Sequence, residues 1–132
     1  MARGWDDSRP IYLQLRDRIV AAILKGAIAE EERLPSVRQA AATLQLNALT
    51  VLHTYRQLVT ECVIDNQRGR GMFVVVGARA ALLGRERERF LEHEWPRVQG
   101  LMNLLGLRIE DLPASVFVHQ LCWPETQKTS QV

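Results

Sequence analysis

The stretch from residue 34 to residue 58, LPSVRQAAATLQLNALTVLHTYRQL, contains two helix-start signals close together. Ser36 is a favoured N-cap residue, and Gln39 three positions later completes a capping box. Asn47 is a second favoured cap, and it follows the short Gln45-Leu46 segment directly. Two short helices joined by so tight a turn are typical of a helix–turn–helix. The predicted helices cover about residues 37–44 and 48–62.

The second of these helices has two faces of different character. One side should pack inside the domain and carries Val51, Tyr55, Leu58 and Cys62. The opposite side carries Ala48, Leu49, Leu52, His53 and Arg56. On this helical phase Leu49 and Leu52 are exposed apolar groups that could meet thymine methyls in a major groove. A shift of one residue would put both in the core, and the sequence leaves the two interpretations open.

The residues before this pair predict another helix. Pro10 suits a first helical position. An apolar stripe follows it at Ile11, Leu15, Ile19 and Ile23. Gly26 provides the stop. Residues 30–32 are three glutamates, for which a solvated loop is expected.

Two β-rich runs, at residues 63–67 and 72–76, flank the segment Arg68-Gly69-Arg70-Gly71. The glycines allow the positive φ angles of a tight hairpin loop. Beside a helix–turn–helix, such a hairpin is typical of a wing whose arginines touch a DNA backbone or minor groove. The alternative is an ordinary surface hairpin with solvated arginines. The sequence thus predicts a mainly α fold with a small β-hairpin, a winged helix–turn–helix followed by a C-terminal helical unit.

The order of these motifs resembles the GntR family of bacterial transcriptional regulators. The matching motifs are Pro10-Ile11-Tyr12, Leu34-Pro35-Ser36-Val37-Arg38, Leu49-Thr50-Val51 with Tyr55 and Leu58, and Arg68-Gly69-Arg70-Gly71-Met72-Phe73-Val74. The resemblance covers about residues 8–77, and the short remainder is similar to the YtrA-type subfamily. Four places depart from the family pattern: Glu31-Glu32, Ala48, His53 and Cys62.

The resemblance implies a homodimer that binds double-stranded DNA at a palindromic operator, most often as a repressor and commonly at a transporter operon. It also implies DNA contacts for Arg38, the third-helix face and the wing. Sequence specificity is expected from Leu49, Thr50, Leu52, His53 and Arg56, and phosphate affinity from the remaining basic and capping groups. The full predicted DNA-binding set is Ser36, Arg38, Asn47, Ala48, Leu49, Thr50, Leu52, His53, Arg56, Arg68, Gly69, Arg70 and Gly71.

Residues 78–121 form the predicted helical dimerisation region. The 4-3-4-3 spacing of a heptad seam is shared by Leu91, Trp95, Val98, Met102 and Leu105. Pro96 interrupts this seam and should kink or split the helix near residues 92–95, and Gly106 should end the helix. A further short helix is expected from Ile109 through Val116. The predicted dimer interface is Leu83, Phe90, Leu91, Trp95, Val98, Met102, Leu105, Leu112 and Val116. Leu82, Leu83, Phe90, Trp95 and the later leucines are expected to need a partner surface, which a two-fold homodimer would supply. The alternative is that these helices fold back on their own winged domain in a monomer. Residues 122–132 are predicted to be a disordered tail.

Composition limits the other classes of function. The net charge is only +2, but residues 33–70 contain five arginines against two acidic residues, where a DNA contact is predicted. Neither a membrane span nor a signal peptide is recognisable, and two cysteines without a motif suit a reducing cytoplasm, so we expect a cytoplasmic, nucleoid-associated protein. No enzyme, cofactor or metal site is expected, although His119 and Cys122 have a conceivable ligand spacing.

Two other functions stay open at this point. The winged domain could be a protein-interaction module that touches no DNA. The protein could also be a ligand sensor whose dimer interface holds a small molecule between Trp95, Met102 and Trp123.

Overall fold

The computed structural model describes residues 4–113, and this part of the chain is mainly helical with one two-stranded sheet. The described elements, in chain order, are α1 (Ile11–Lys25), α2 (Val37–Leu44), α3 (Ala48–Thr60), β1 (Ile64–Gln67), β2 (Gly71–Val74), α4 (Ala78–Arg89), a π-helical turn (Phe90–Glu94), α5 (Trp95–Leu105) and a 3-10 turn (Ile109–Asp111).

The helix ends follow the local sequence signals. The Ser36 hydroxyl accepts the Gln39 N–H, and the Gln39 side chain accepts the Ser36 N–H in return, so the predicted capping box is confirmed. Asn47 caps α3 by accepting the N–H of Leu49 at 2.9 Å. Gly26 ends α1 in the left-handed conformation, as predicted.

The core joins α1, α3 and the wing. Leu15, Ile19 and Ile23 are fully buried on α1, against the equally buried inner side of α3. On that side the Tyr55 hydroxyl donates to the Pro35 carbonyl at 2.7 Å, which ties α3 to the start of α2. Burial raises the pKa of Tyr55, so the phenol stays protonated and keeps donating.

Cys62 does not pack inside, and that prediction was wrong. The helix α3 ends at Thr60, and Cys62 is exposed with a φ of 61°. The left-handed residue reverses the chain so that Val63 and Ile64 enter the core instead.

The wing is an antiparallel hairpin in which Ile64 pairs with Val74 and Gln67 with Gly71. The acidic segment at residues 30–32 was expected to be a solvated loop, but its backbone is hydrogen-bonded to the wing. Its backbone runs beside β2: the Glu31 N–H donates to the Val74 carbonyl at 2.8 Å, and the Val74 N–H donates to the Glu32 carbonyl at 3.0 Å. These bonds cover the edge of β2 and hold the wing against the domain.

The helix α4 belongs to the winged domain as well as to the C-terminal region. Ala78 and Leu82 are buried in the same cluster as α1 and α3, so the expectation that Leu82 needs another surface was wrong. The domain core therefore extends past the boundary drawn at residue 77.

The rest of the C-terminal region forms an arm, which we define as residues 83–112. The predicted interruption before Pro96 is present as the π-helical turn. The predicted stop at Gly106 is confirmed, since Gly106 is left-handed and the Leu107 N–H donates to the Met102 carbonyl at 2.8 Å. The predicted short helix at Ile109 is only a 3-10 turn in the described residues, and Val116 lies outside them.

An ion cluster fastens α4 to the other helices. The Arg16 guanidinium on α1 bonds the Glu61 carboxylate at the end of α3 and lies 3.4 Å from a Glu86 oxygen on α4. Asp17 contacts the same guanidinium at 2.9 Å. The side chains of Arg16 and Glu61 are only 12% and 17% exposed. The hydrogen bond from Arg16 holds the pKa of Glu61 below its ordinary value.

Candidate nucleic-acid interface

One side of α3 is open to solvent and carries the residues predicted to read DNA. Leu49 is 72% exposed, while Leu52 is half-buried and lies outside the core cluster. The helical phase with Val51, Tyr55 and Leu58 inside is therefore the one the chain adopts. Of the other predicted members of this side, Thr50 is half-buried, and those exposed are Ala48, His53 and Arg56.

His53 is exposed but not isolated. Its imidazole stacks on the Tyr12 ring of α1, with 3.8 Å between ring centroids and 15° between ring planes. Sequence reasoning missed Tyr12, because a contact between residues so far apart in the chain leaves no local pattern.

The starts of α2 and α3 carry further residues of the predicted set. Ser36 and Asn47 use their side chains as caps, and Arg38 is exposed in the first turn of α2. Helix starts present unpaired N–H groups and a partial positive charge, which suits a phosphate contact.

The wing loop holds exposed arginines. Arg68 and Gly69 are exposed at the hairpin tip, and the Arg70 guanidinium lies 5.4 Å from the centre of the Phe73 ring. Gly71 has a φ of 117°, which strains any residue with a side chain, and a Cβ there would also come within 2.9 Å of Arg33 Nε.

Arg33 is a second residue that the predicted set omitted. It pairs with Phe73 across the isolated bridge beside β2, so its side chain joins the wing arginines. The sequence gives little indication that Arg33 belongs to the interface, since this residue precedes the Leu34-Pro35-Ser36 motif without being part of a recognisable pattern.

The electrostatics of this surface favour an anionic partner. Five arginines here are exposed, and none makes a salt bridge within residues 4–113: Arg33, Arg38, Arg56, Arg68 and Arg70. Arg16, by contrast, is held by carboxylates. Unpaired guanidinium groups can bind phosphate without first breaking an ion pair. The surface therefore combines exposed arginines that have no carboxylate partner within residues 4–113 with a helix face that carries Leu49 and the His53 imidazole.

Other candidate sites are weaker. Trp95 and Met102 line one cavity of about 480 Å³ with Leu107 and Ile109, whereas Trp123, also expected there, lies outside the described residues. Within residues 4–113 no group of three or more His, Cys, Asp or Glu side chains could hold a metal ion, and His119 and Cys122 fall outside that range. No described helix is long and apolar enough to cross a membrane.

Comparison with known proteins points to one family. The family model described as bacterial regulatory proteins, gntR family, matches residues 11–74. YhcF of Bacillus subtilis, an HTH-type transcriptional regulator, is 26% identical over 112 residues, which are 85% of this chain and 91% of YhcF. YtrA of the same organism, an HTH-type transcriptional repressor, is 36% identical over 76 residues, or 58% of each protein. A solved structure described as a GntR-family regulator from Bacteroides thetaiotaomicron has a TM-score of 0.62 and 40% identity, covering 76% of this chain and 88% of that one.

Proposed function

The chain belongs to the GntR family of DNA-binding transcriptional regulators, and we propose that it is a repressor that binds a palindromic operator as a homodimer. The family resemblance and the winged helix–turn–helix fold with a C-terminal helical region are thereby confirmed. The observation that carries the proposal is the open side of α3, where Leu49, His53 and Arg56 are exposed, together with exposed wing arginines that make no salt bridge within residues 4–113.

Each part of this surface has a matching group on DNA. Exposed Leu49 suits a thymine methyl, while His53 and Arg56 can donate to acceptors on base edges. The wing arginines and Arg38 suit phosphates, which set affinity and position rather than sequence. We therefore assign sequence reading to α3 and phosphate binding to Arg38 and the wing.

The arm supports the homodimer. Ten of the thirteen large hydrophobic side chains that are exposed in residues 4–113 lie in it: Leu83, Phe90, Leu91, Val98, Leu101, Leu104, Leu105, Leu107, Ile109 and Leu112. So much apolar surface on one arm favours burial against a second copy. Met102 is only 8% exposed and is thus already buried within a single chain, and Trp95 is half-buried. The leucines therefore contribute most of the apolar surface of the proposed dimer seam.

Three finer points complete the proposal. Repression is supported by the likeness to YtrA, which is named a repressor. Control of a transporter operon follows the YtrA-type resemblance. A protein acting on the chromosome works in the cytoplasm, and neither a catalytic role nor a cofactor is proposed.

The decisive experiment selects binding sites from random double-stranded DNA with the purified full chain. We expect an enriched inverted repeat, bound by two protomers in sedimentation. In vitro transcription from a promoter that overlaps this repeat should fall as protein is added. Enrichment of a single, unrepeated half-site would contradict the palindromic operator.

A salt titration separates DNA binding from a protein-interaction role. Binding should weaken steeply between about 50 and 200 mM salt. Arg38→Ala and Arg70→Ala should each weaken binding to operator DNA and to random DNA by similar factors. Each should also reduce the slope of log binding constant against log salt concentration by about one unit. The exposed arm residue Arg87 provides the control, since Arg87→Ala should leave the slope unchanged. A slope that no variant alters would contradict the phosphate contacts.

A further inference from the structure

Tyr12 and His53 form the one stacked ring pair in residues 4–113, and it lies at the open side of α3. Their centroids are 3.8 Å apart and their planes are within 15° of parallel. Tyr12 is half-buried in the first turn of α1, whereas His53 is exposed. One face of the imidazole is therefore covered by protein, and the remainder of the ring faces outward.

A second contact fixes Tyr12 against the same part of α3. Its backbone carbonyl accepts a hydrogen bond from the hydroxyl of Thr54, the residue next to His53, at 3.0 Å. Thr54 is fully buried. Tyr12 is thus joined to α3 by its backbone and by its ring, and the two contacts restrict the position of the ring over His53.

The stack limits how the imidazole can turn, because a rotation of the ring plane would break the parallel contact. The imidazole makes no hydrogen bond to protein within residues 4–113, so its nitrogens keep their capacity for an outside partner. A donor held in one orientation loses little freedom when it binds, and it favours partners whose acceptors lie in that direction.

We propose that Tyr12 is a positioning residue that orients His53 as a sequence-reading group. In this role a His53 N–H donates to an acceptor on a purine edge, N7 or guanine O6, in the major groove. The inference rests on the proposed DNA-facing role of α3 and names which side chain reads one base and what orients it. A phosphate oxygen offers the same acceptor chemistry, so the experiment must separate base from backbone.

The test uses the full chain and its selected operator. Single purines are replaced by their 7-deaza analogues, which lack the N7 acceptor, and single guanines by 2-aminopurine, which lacks O6. The position that His53 reads is the one where a replacement weakens binding by the parent but not by His53→Ala. Preference at that position is the ratio of two Kd values, for the best and the next-best base pair. An inactive fraction of a preparation cancels from this ratio, so reduced folding of a variant does not mimic lost preference.

His53→Ala should reduce the preference about five- to tenfold at that position and leave the preferences elsewhere intact, as expected for one lost base contact. Tyr12→Leu should reduce the same preference by a similar factor although residue 12 need not touch the base. Tyr12→Phe is the matched control, since it keeps the stacking ring and should keep the preference. The double variant Tyr12→Leu/His53→Ala should be no worse than His53→Ala alone.

Proton NMR tests the stack without DNA. The His53 ring protons should be shifted upfield by the Tyr12 ring current, and the shift should be lost in Tyr12→Leu but kept in Tyr12→Phe. Unchanged preference in Tyr12→Leu would overturn the positioning role while leaving the proposed function standing. If His53→Ala weakened binding to all DNA sequences equally, the His53 side chain would contact a phosphate, and the base-reading role would be overturned. Failure of the parent chain to select any sequence would overturn both proposals.

Discussion

Leu49 shows how an apolar side chain can be informative by being exposed. It is 72% exposed at the start of α3, while Val51 two positions later is fully buried. Its environment in the free protein is mostly water, so it contributes little to the folded core. Its side chain is therefore available for a contact made only in a complex.

Leu49→Ala should change the free energy of unfolding by less than about 0.5 kcal/mol, because little buried surface is lost. It should weaken binding by about 1 kcal/mol only at sites with thymine at the matching step. Thermal melts and titrations of operators with uracil in place of thymine measure the two effects. Half-buried Leu52 is the comparison, and Leu52→Ala should cost more stability than Leu49→Ala. A large drop in melting temperature for Leu49→Ala would contradict the groove assignment.

Cys62 carries conformational strain at the end of α3. Its φ of 61° lies in the left-handed region, which costs a non-glycine residue about 1 kcal/mol. Cys62→Gly should therefore raise the free energy of unfolding by about 0.5–1 kcal/mol, less the added flexibility of glycine in the unfolded chain. Urea denaturation of Cys62→Ser gives the control, because serine keeps the strain and removes only the sulfur. Equal gains from both variants would show that the thiol, and not the backbone, is the cause.

The ion cluster of Arg16, Glu61 and Glu86 joins three helices that are far apart in the sequence. Because Arg16 and Glu61 are mostly buried, each depends on the other to offset lost hydration. The cluster also fixes where α4 leaves the domain, and thus where the arm begins relative to the end of α3.

Glu61→Gln should lower the free energy of unfolding by about 1–2 kcal/mol at pH 7, because it removes a charge-assisted bond to Arg16. The Glu61 pKa is lower in the folded protein than in the unfolded chain, so its stabilisation is present above the ordinary value near 4.5 and is lost as the pH falls through the folded pKa. The difference between parent and variant should therefore shrink under acid conditions. Glu88→Gln is the control, since it removes a carboxylate at an exposed position of α4 and should leave the free energy of unfolding at pH 7 nearly unchanged.

Elements with local signals were predictable, and contacts between distant elements were not. The capping box at Ser36 and the glycine loop of the hairpin depend on residues a few positions apart, so the sequence indicates both. The strand-like pairing of residues 31–34, the Tyr12–His53 stack and the burial of Leu82 depend on how separate elements meet. No short pattern encodes that, which is why Arg33 and Tyr12 were missed at the candidate interface.

Considered whole, the molecule is a winged domain and an arm that share α4. Leu82 is fully buried among domain residues, whereas Leu83 beside it is 41% exposed. One helix therefore completes the DNA-binding domain and starts the apolar surface that we propose for dimerisation.

Two truncations separate these roles. A chain ending after Arg89 keeps Leu82 and Glu86, so it should stay folded. Without the rest of the arm it should sediment as a monomer. It should also bind the full operator far more weakly than the parent, since each half-site is then bound by a separate protomer. A chain ending after Val76 loses the buried Ala78 and Leu82 and should be about 2–5 kcal/mol less stable than the longer truncation. Urea unfolding and sedimentation velocity provide the measurements. A dimer from the chain ending at Arg89 would place the interface outside residues 90–112 of the arm.

The π-helical turn interrupts the helix and also determines the direction in which the side chains after Trp95 point around the helix axis. The Trp95 N–H reaches back five residues to the Phe90 carbonyl, so this turn holds one residue more than an α-helical turn. Each residue of an α-helix advances by about 100° around its axis. Deleting one residue here would leave a smoother helix of nearly the same composition, with every side chain beyond Trp95 rotated by about that angle. Two arms paired along the rotated side would hold the α3 helices, which we propose read DNA, at a different mutual twist. A single-residue deletion in the arm should then change the operator geometry that the proposed dimer fits.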